Sequence, residues 1–241
     1  MNRFTLVLLV AMIGPPGMAQ NIIDTYGAII RSDTSKKTIY LCFTGHDFYE
    51  GFDQVLAVLK RQHIAASFFL TGDFVRQHAP LVKTIARQNH FVGAHSNKHL
   101  LYCDWSKRDS LLHTPDEIKA DIQQNLAELR RLGIYPAYFM PPYEWYNQNV
   151  VKLALALNQL TINFSPGTRA NADYTTPGMS NYVSSSAISA SIRDYEKRNG
   201  LNGFHLLIHP GTNPLRVDKF YDHLDDLIRE LKEKGYQFSR F

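Results

Sequence analysis

The sequence predicts an α/β fold in which parallel strands curl into a barrel. Short apolar, β-branched runs alternate with stretches of helical period, which is the signature of βαβ units. Turns rich in His, Asp, Pro and aromatic residues follow strands rather than preceding them, and in a parallel barrel those ends share one face. The chain has 241 residues, 44% of them hydrophobic, with no internal repeat and no dividing linker. That is enough for one core and one domain.

Ahead of the first strand, Met1-Asn-Arg-Phe, Thr5-Leu-Val-Leu-Leu-Val-Ala-Met-Ile13 and Gly17-Met-Ala-Gln20 read as the basic start, apolar stretch and cleavage site of a signal peptide over 1–20. The apolar stretch is far shorter than the roughly 20 residues that cross a bilayer. No cysteine stands at its cleavage site to carry a lipid. The expectation is an exported, periplasmic or extracellular domain spanning 21–241 with no membrane anchor.

Lys37-Thr-Ile-Tyr-Leu-Cys-Phe43 reads as a buried strand that stops at Thr44-Gly-His46-Asp47. The spacing of Phe52, Val55, Leu56, Val58 and Leu59 predicts a helix to Gln62. Ala65 to Leu70 is the next strand, closed by Thr71-Gly-Asp73, and Pro80 to Gln88 the next helix. Phe91 to Ala94 is a third strand, and Leu100 to Pro115 a long loop over the site. Thr114, Pro115 and Glu117 then form a capping box for a helix that runs to about Leu132 and ends at Gly133.

Pro136 to Met140 is a strand ending in Pro141-Pro-Tyr-Glu144, followed by a helix over Asn147 to Leu157. Leu160 to Phe164 is a strand that breaks at Ser165-Pro-Gly167. Tyr174 to Ser186 reads as a surface loop and Ile188 to Arg198 as a helix. Gly203 to Ile208 is a strand ending in His209-Pro-Gly211, and Lys219 to Lys234 the last helix before Tyr236-Gln-Phe238.

The chemistry centres on Phe91-Val-Gly-Ala-His-Ser-Asn-Lys-His99. If the backbone turns helical there, His95 and His99 share a face and can converge on one cation. Neutral imidazoles are common zinc ligands, and two make half of a tetrahedral site. Strand ends that meet on one barrel face would add His46-Asp47, Tyr143-Glu144, Asn163 and His209. Trp145 and Tyr146, with Tyr102 and Trp105, supply aromatic faces for a sugar cleft or for the barrel wall. Asp104, Arg108 and Asp109 read as a solvated loop cluster.

The net charge of +4 is not gathered into a basic block, so nucleic acid and a membrane surface are not expected partners. The two cysteines, Cys42 and Cys103, allow one bridge in an oxidising compartment, although Cys42 sits in an apolar run and reads as a core residue.

These ordered segments resemble the polysaccharide deacetylases with a NodB-like domain, over roughly Lys37 to Phe238. That resemblance implies a metal-dependent carbohydrate esterase on a distorted (β/α) barrel of about seven parallel strands. His95-Ser-Asn-Lys-His99 is similar to the family's His-Ser/Thr-x-x-His metal motif. Pro141-Pro-Tyr143 is similar to the Arg-x-Pro-Tyr segment, whose tyrosine N–H helps hold an oxyanion. Leu206-Leu-Ile-His209 is similar to the Leu-x-Leu-x-His segment, whose histidine is the catalytic acid. The first motif departs: the family's Thr-Phe-Asp-Asp-Gly is Cys42-Phe-Thr-Gly-His46 here, so Thr44 and Gly45 stand where the base and a metal ligand belong. The arginine that accompanies the base is Met140. No counterpart of the family's tryptophan-bearing aspartate motif stands out near Asn163-Phe-Ser-Pro-Gly-Thr168.

The resemblance implies removal of N- or O-acetyl groups from a polysaccharide or amino-sugar polymer. A divalent cation, zinc by its ligands, would sit on Asp47, His95 and His99 and polarise the acetyl carbonyl. His209 is then the acid and His46 the base. Alternatively His46 is the third ligand, with Asp47 orienting it. Asp73 is a further candidate for either role. Tyr143, Glu144 and Trp145 are expected to hold the substrate, Glu144 either as a substitute carboxylate or by narrowing the cleft. Loss of the Asp-Arg pair equally allows a carbohydrate-binding protein without turnover.

Overall fold

A computed structural model describes residues 21–241, so the signal-peptide expectation lies outside the described residues. Two short strands come first, β1 (Ile22–Ile23) and β2 (Ile29–Arg31). Strands and helices then alternate as β3 (Thr38–Gly45), α1 (Phe52–Arg61), β4 (Ser67–Leu70), α2 (Gly72–Gln77), α3 (Ala79–Arg87) and β5 (Phe91–Ala94). The second half runs α4 (Pro115–Arg131), β6 (Tyr138–Phe139), α5 (Gln148–Leu155), β7 (Leu160–Thr161), α6 (Ser185–Asn199), β8 (Phe204–Ile208), α7 (Leu224–Glu233) and β9 (Gln237–Ser239).

Seven of these strands pair in parallel, as expected: β3 with β4, β8 and β9, and onward from β4 through β5 and β6 to β7. The sequence reading missed the antiparallel hairpin of β1 and β2, whose apolar runs are too short to show a period. This hairpin completes the curl. β2 pairs with β8, and a parallel bridge between Ile29 and Ile162 ties it to the far end of the sheet. There Asn163 N–H donates to Ile29 O at 3.0 Å and Ser165 N–H to His205 O at 2.9 Å. That turn towards β2 and β8 is why β7 ends at Thr161 rather than at Phe164.

The helix signals hold with local shifts. Thr114 Oγ1 accepts from Glu117 N–H while Thr114 N–H donates to Glu117 Oε2 at 2.7 Å, the reciprocal box that starts α4. Gly133, at φ 79°, turns the chain out of it. Ser184 caps α6, which starts inside the expected loop. The last helix begins at Leu224, because a 3-10 turn over Phe220–His223 occupies its expected first turn.

Helices pack their apolar stripes on the outside of the sheet: α7 buries Leu224, Leu227, Ile228 and Leu231, each contributing about 1.5–3 kcal/mol as an upper bound. Inside the barrel lies a separate cluster of Cys42, Phe69, Met140, Ile162 and Leu207. The ring of Phe241 packs beneath it, stacked on Tyr40 at 5.2 Å and edge-on to His205 at 4.9 Å. Cys42 and Cys103 are both free and buried, and they belong to different clusters, so they form no bridge.

Candidate active site

The C-terminal strand ends open into a cleft of about 520 Å³ lined in part by Thr44, His46, His95, His99, Glu144 and His209. Strand alternation decides what β3 contributes. Thr44 faces the cleft, whereas a Cβ on Gly45 would lie 2.8 Å from Leu70 Cδ2 and from Phe52 Cζ. Gly45 therefore faces the apolar core. The next cleft-facing side chain is His46.

After β5 the chain does not turn helical. Ser96 and His99 take left-handed backbone at φ 69° and 54°, and Ser96 Oγ accepts from His99 N–H at 3.0 Å. This tight turn, rather than a helix face, brings the pair together: the two Nε2 atoms stand 3.2 Å apart. His95 is buried and held from both ends. Its N–H donates to Asn125 Oδ1 at 2.8 Å, and Asn125 Nδ2 donates to Leu70 O at 3.1 Å. Its ring Nδ1–H donates to Met140 O at 2.7 Å, which leaves Nε2 with its lone pair. Burial, reinforced by neighbouring imidazoles, lowers His95 to about 3 and His99 to about 2. Both rings are neutral across the physiological range.

Two nitrogens 2.0–2.1 Å from a tetrahedral cation are roughly 3.3–3.4 Å apart. The His95–His99 spacing fits that edge. The third position is not filled. The His46 ring lies parallel to that of His99, at 16° and 4.4 Å between centroids. Lone pairs lie in the ring planes, so parallel rings do not aim at one point. His46 Nε2 stands 3.0 Å from Asp47 Oδ1, and the Asp47 side chain is 65% exposed. Asp73 pairs with Arg76 and with Lys98, and it is Thr71 that caps α2. Among the described residues, no group of three His, Cys, Asp or Glu side chains comes together to hold an ion. As arranged, the described residues offer half of a metal site.

The opposite wall carries an acid-base pair. Asp173, buried at the end of a 3-10 turn over Ala170–Ala172, accepts from His209 Nδ1–H at 2.6 Å and from His209 N–H at 2.8 Å. Burial pulls His209 down, but the Asp173 charge and hydrogen bond, with Glu144 nearby, raise it above its ordinary value. Glu144 is pushed up to about 7 by burial, a shift that His209 opposes and Asp173 adds to. Asp173 is the functional residue that sequence reasoning missed. Its signal was a carboxylate among small residues, Ala170-Asn-Ala-Asp173, beyond the stretch searched for the aspartate motif.

Among the described residues, seven non-glycine residues have positive φ. His63, Asn89 and Asn158 follow the ends of α1, α3 and α5, where such backbone is routine. The other four, Ser96, His99, Tyr143 and Glu144, all belong to the cleft turns. Strain of this kind, about 1–3 kcal/mol a residue, collects at functional sites.

The aromatic residues divide between cleft and wall. Tyr143 packs on His99 at 4.4 Å, and Trp105 meets Tyr143 edge-on at 5.8 Å. Trp105 is 57% exposed and Tyr143 45%, so both present open faces. Trp145 sits behind them, its Nε1–H donating to Asp104 O at 3.2 Å. Tyr102 and Tyr146 are buried, donating to Asp121 and Asp24. Arg108, expected in a solvated cluster, instead lies 4.0 Å over Trp145 and donates from Nε to Tyr146 O at 2.6 Å. Asn163 serves from below, its Nδ2 donating to Glu144 O at 3.2 Å.

Comparison with known proteins bears on the family and the fold. A family model described as polysaccharide deacetylase matches residues 31–162. Peptidoglycan-N-acetylmuramic acid deacetylase PdaA of Bacillus subtilis is 26% identical over 225 residues, covering 91% of this chain and 75% of that protein. The solved Bc1960 peptidoglycan N-acetylglucosamine deacetylase superposes with a TM-score of 0.72 at 25% identity, over 88% of this chain and 89% of that one. A CE4 family pseudoenzyme from Bacillus anthracis shares the fold with a TM-score of 0.72 at 22% identity, over 90% of this chain and 68% of that one.

Proposed function

The chain belongs to the polysaccharide deacetylase family, and from that premise we propose that it is an exported protein that hydrolyses N- or O-linked acetyl groups on a polysaccharide or amino-sugar polymer. Peptidoglycan is the first substrate to try, because curated and solved relatives act on it. The observation that carries the reading is the His209–Asp173 pair on the cleft wall. Asp173 accepts a hydrogen bond from Nδ1–H and leaves Nε2 as the nitrogen that can protonate a departing amine or alkoxide. Trp105 and Tyr143 supply faces on which the apolar side of a sugar can rest.

Zinc, which the family resemblance implies, would find ligands in His95 and His99 and lacks a third in this arrangement. The residues of the chain itself bind the sugar and hold a proton on His209.

A second reading has its own support. Thr44, Gly45 and Met140 stand where the family places two carboxylates and an arginine, which favours a protein that binds the polymer without turnover. Purified protein incubated with peptidoglycan, acetylated chito-oligosaccharides and acetylated xylan, with and without zinc, tests both. Acetate release that disappears in His209→Ala supports hydrolysis. Sugar binding by calorimetry with no acetate from any substrate supports the second reading and refutes the first.

A further inference from the structure

We propose that Glu144 is the general base of this cleft, the carboxylate that takes a proton from the attacking water. The inference deepens the deacetylase reading and rests on it.

Two carboxylates line the cleft, Asp47 and Glu144. Asp47 is turned towards solvent and engaged by His46 Nε2, and His46 is in turn occupied by Asp47 on one side and Thr71 on the other. Neither is free to work on a water at the reacting centre. Glu144 is different. Glu144 lines the cleft, and no hydrogen bond from the described residues reaches its side-chain oxygens.

The backbone points the same way. Glu144 sits at φ 53° directly after Tyr143 at φ 59°, in a turn a glycine would adopt freely. Asn163 secures that turn by donating to Glu144 O, so the strained conformation is braced from below. A long acidic side chain placed where the backbone favours none at all marks the side chain as the reason for the residue.

His209 stands near enough for the two charges to interact, and Asp173 holds its Nδ1 proton. The two groups therefore face one another across the cleft as a carboxylate and an imidazole whose Nδ1 side is already committed to Asp173, which divides the base and acid positions between them.

The step balances as follows. Water gives one proton to Glu144 while its oxygen forms a bond to the acetyl carbon. The bond from that carbon to the sugar nitrogen or oxygen breaks, and the leaving atom takes the proton on His209 Nε2. Acetic acid departs with Glu144 protonated and His209 neutral. Return of one proton from Glu144 to His209 through the solvent restores both.

The test compares wild type, Glu144→Gln and Glu144→Gly for acetate release from acetylated chito-oligosaccharides, with sodium formate as an added carboxylate. The expected result is a loss in kcat of about 100-fold or more in both variants with KM within about threefold. Formate should restore at least about tenfold of the rate in Glu144→Gly, where it fits the vacated space, and nothing in Glu144→Gln or wild type. Glu144→Gly also relaxes the turn, so a folding failure is not its expected outcome. Rates in both variants within about threefold of wild type, or a loss that formate does not recover, overturn the role of Glu144 and leave the deacetylase reading standing. No acetate from the wild type itself overturns both.

Discussion

Asp173 accepts two hydrogen bonds from one residue, His209, at 2.6 Å from the ring Nδ1–H and at 2.8 Å from the backbone N–H. Ring and backbone are thereby fixed together, so the imidazole cannot rotate away without breaking both. The Asp173 charge raises His209 against the pull of burial. A group whose folded pKa is raised stabilises fully below its unfolded value, about 6.5, and loses that contribution as pH climbs through the folded value. Asp173→Asn should therefore lower the melting temperature most below pH 6, with the gap to wild type closing in alkaline buffer. Equal gaps at pH 5.5 and pH 9 contradict this.

The first motif can be probed by restoring an acid at each of its two positions. A side chain at Gly45 would press on Leu70 and Phe52 at 2.8 Å from its Cβ, whereas Thr44 opens to the cleft. Gly45→Asp should cost several kcal/mol, by overpacking and by burying an unpaired charge, and yield insoluble or molten protein. Thr44→Asp should fold, with a chemical-denaturation midpoint close to that of wild type. Comparable stability for the two variants rules out the strand register described.

Metal retention should depend on His95 and His99 and not on Asp47. Zinc added and then dialysed away is expected to be held weakly, to be lost in His95→Ala, and to be unchanged in Asp47→Ala, measured by elemental analysis. Because burial keeps His95 near 3 and His99 near 2, protons do not compete for either ring between pH 5 and 8, and zinc affinity should be nearly flat there. A tenfold or larger loss in Asp47→Ala points instead to a rearranged three-ligand site.

Trp105, 57% exposed, makes little contribution to the core. Trp105→Ala should weaken oligosaccharide binding about five- to tenfold, roughly 1–1.4 kcal/mol, and leave the melting temperature within a degree or two. Calorimetric titration showing unchanged affinity removes this ring from the sugar path.

Asn125 is fully buried and joins three elements, accepting from His95 N–H and donating to Leu70 O from its place on α4. Asn125→Ala leaves two buried backbone groups without partners, at about 1–3 kcal/mol each. A drop of several degrees in melting temperature is expected, and His95 chemical shifts should move with it.

Much of this fold was legible because its strands and helices announce themselves by period and cap. The Thr114–Glu117 box and the left-handed exit at Gly133 are local chemistry, and local chemistry survives in any context. His95 and His99 were legible as a pair, but the reason for their meeting was not: a left-handed turn has no period, so a helix face stood in for it. Asp173 escaped because its partner lies 36 residues further on and the link between them is purely spatial. The β1–β2 hairpin escaped for want of length. Arg108 read as solvated because a charge in a loop usually is, yet here three aromatic rings surround it.

The central strand, β3, draws its partners β8 and β9 from the far end of the chain, with Thr38 facing Gln237 and Ile39 facing Phe204. Such long-range pairing makes for slow folding, since the loop must close before any reward arrives. Until the last residues are in place β3 exposes an apolar edge, so refolding yield should fall steeply with protein concentration. Shortening the chain from its C-terminal side should likewise collapse the entire barrel rather than trim it.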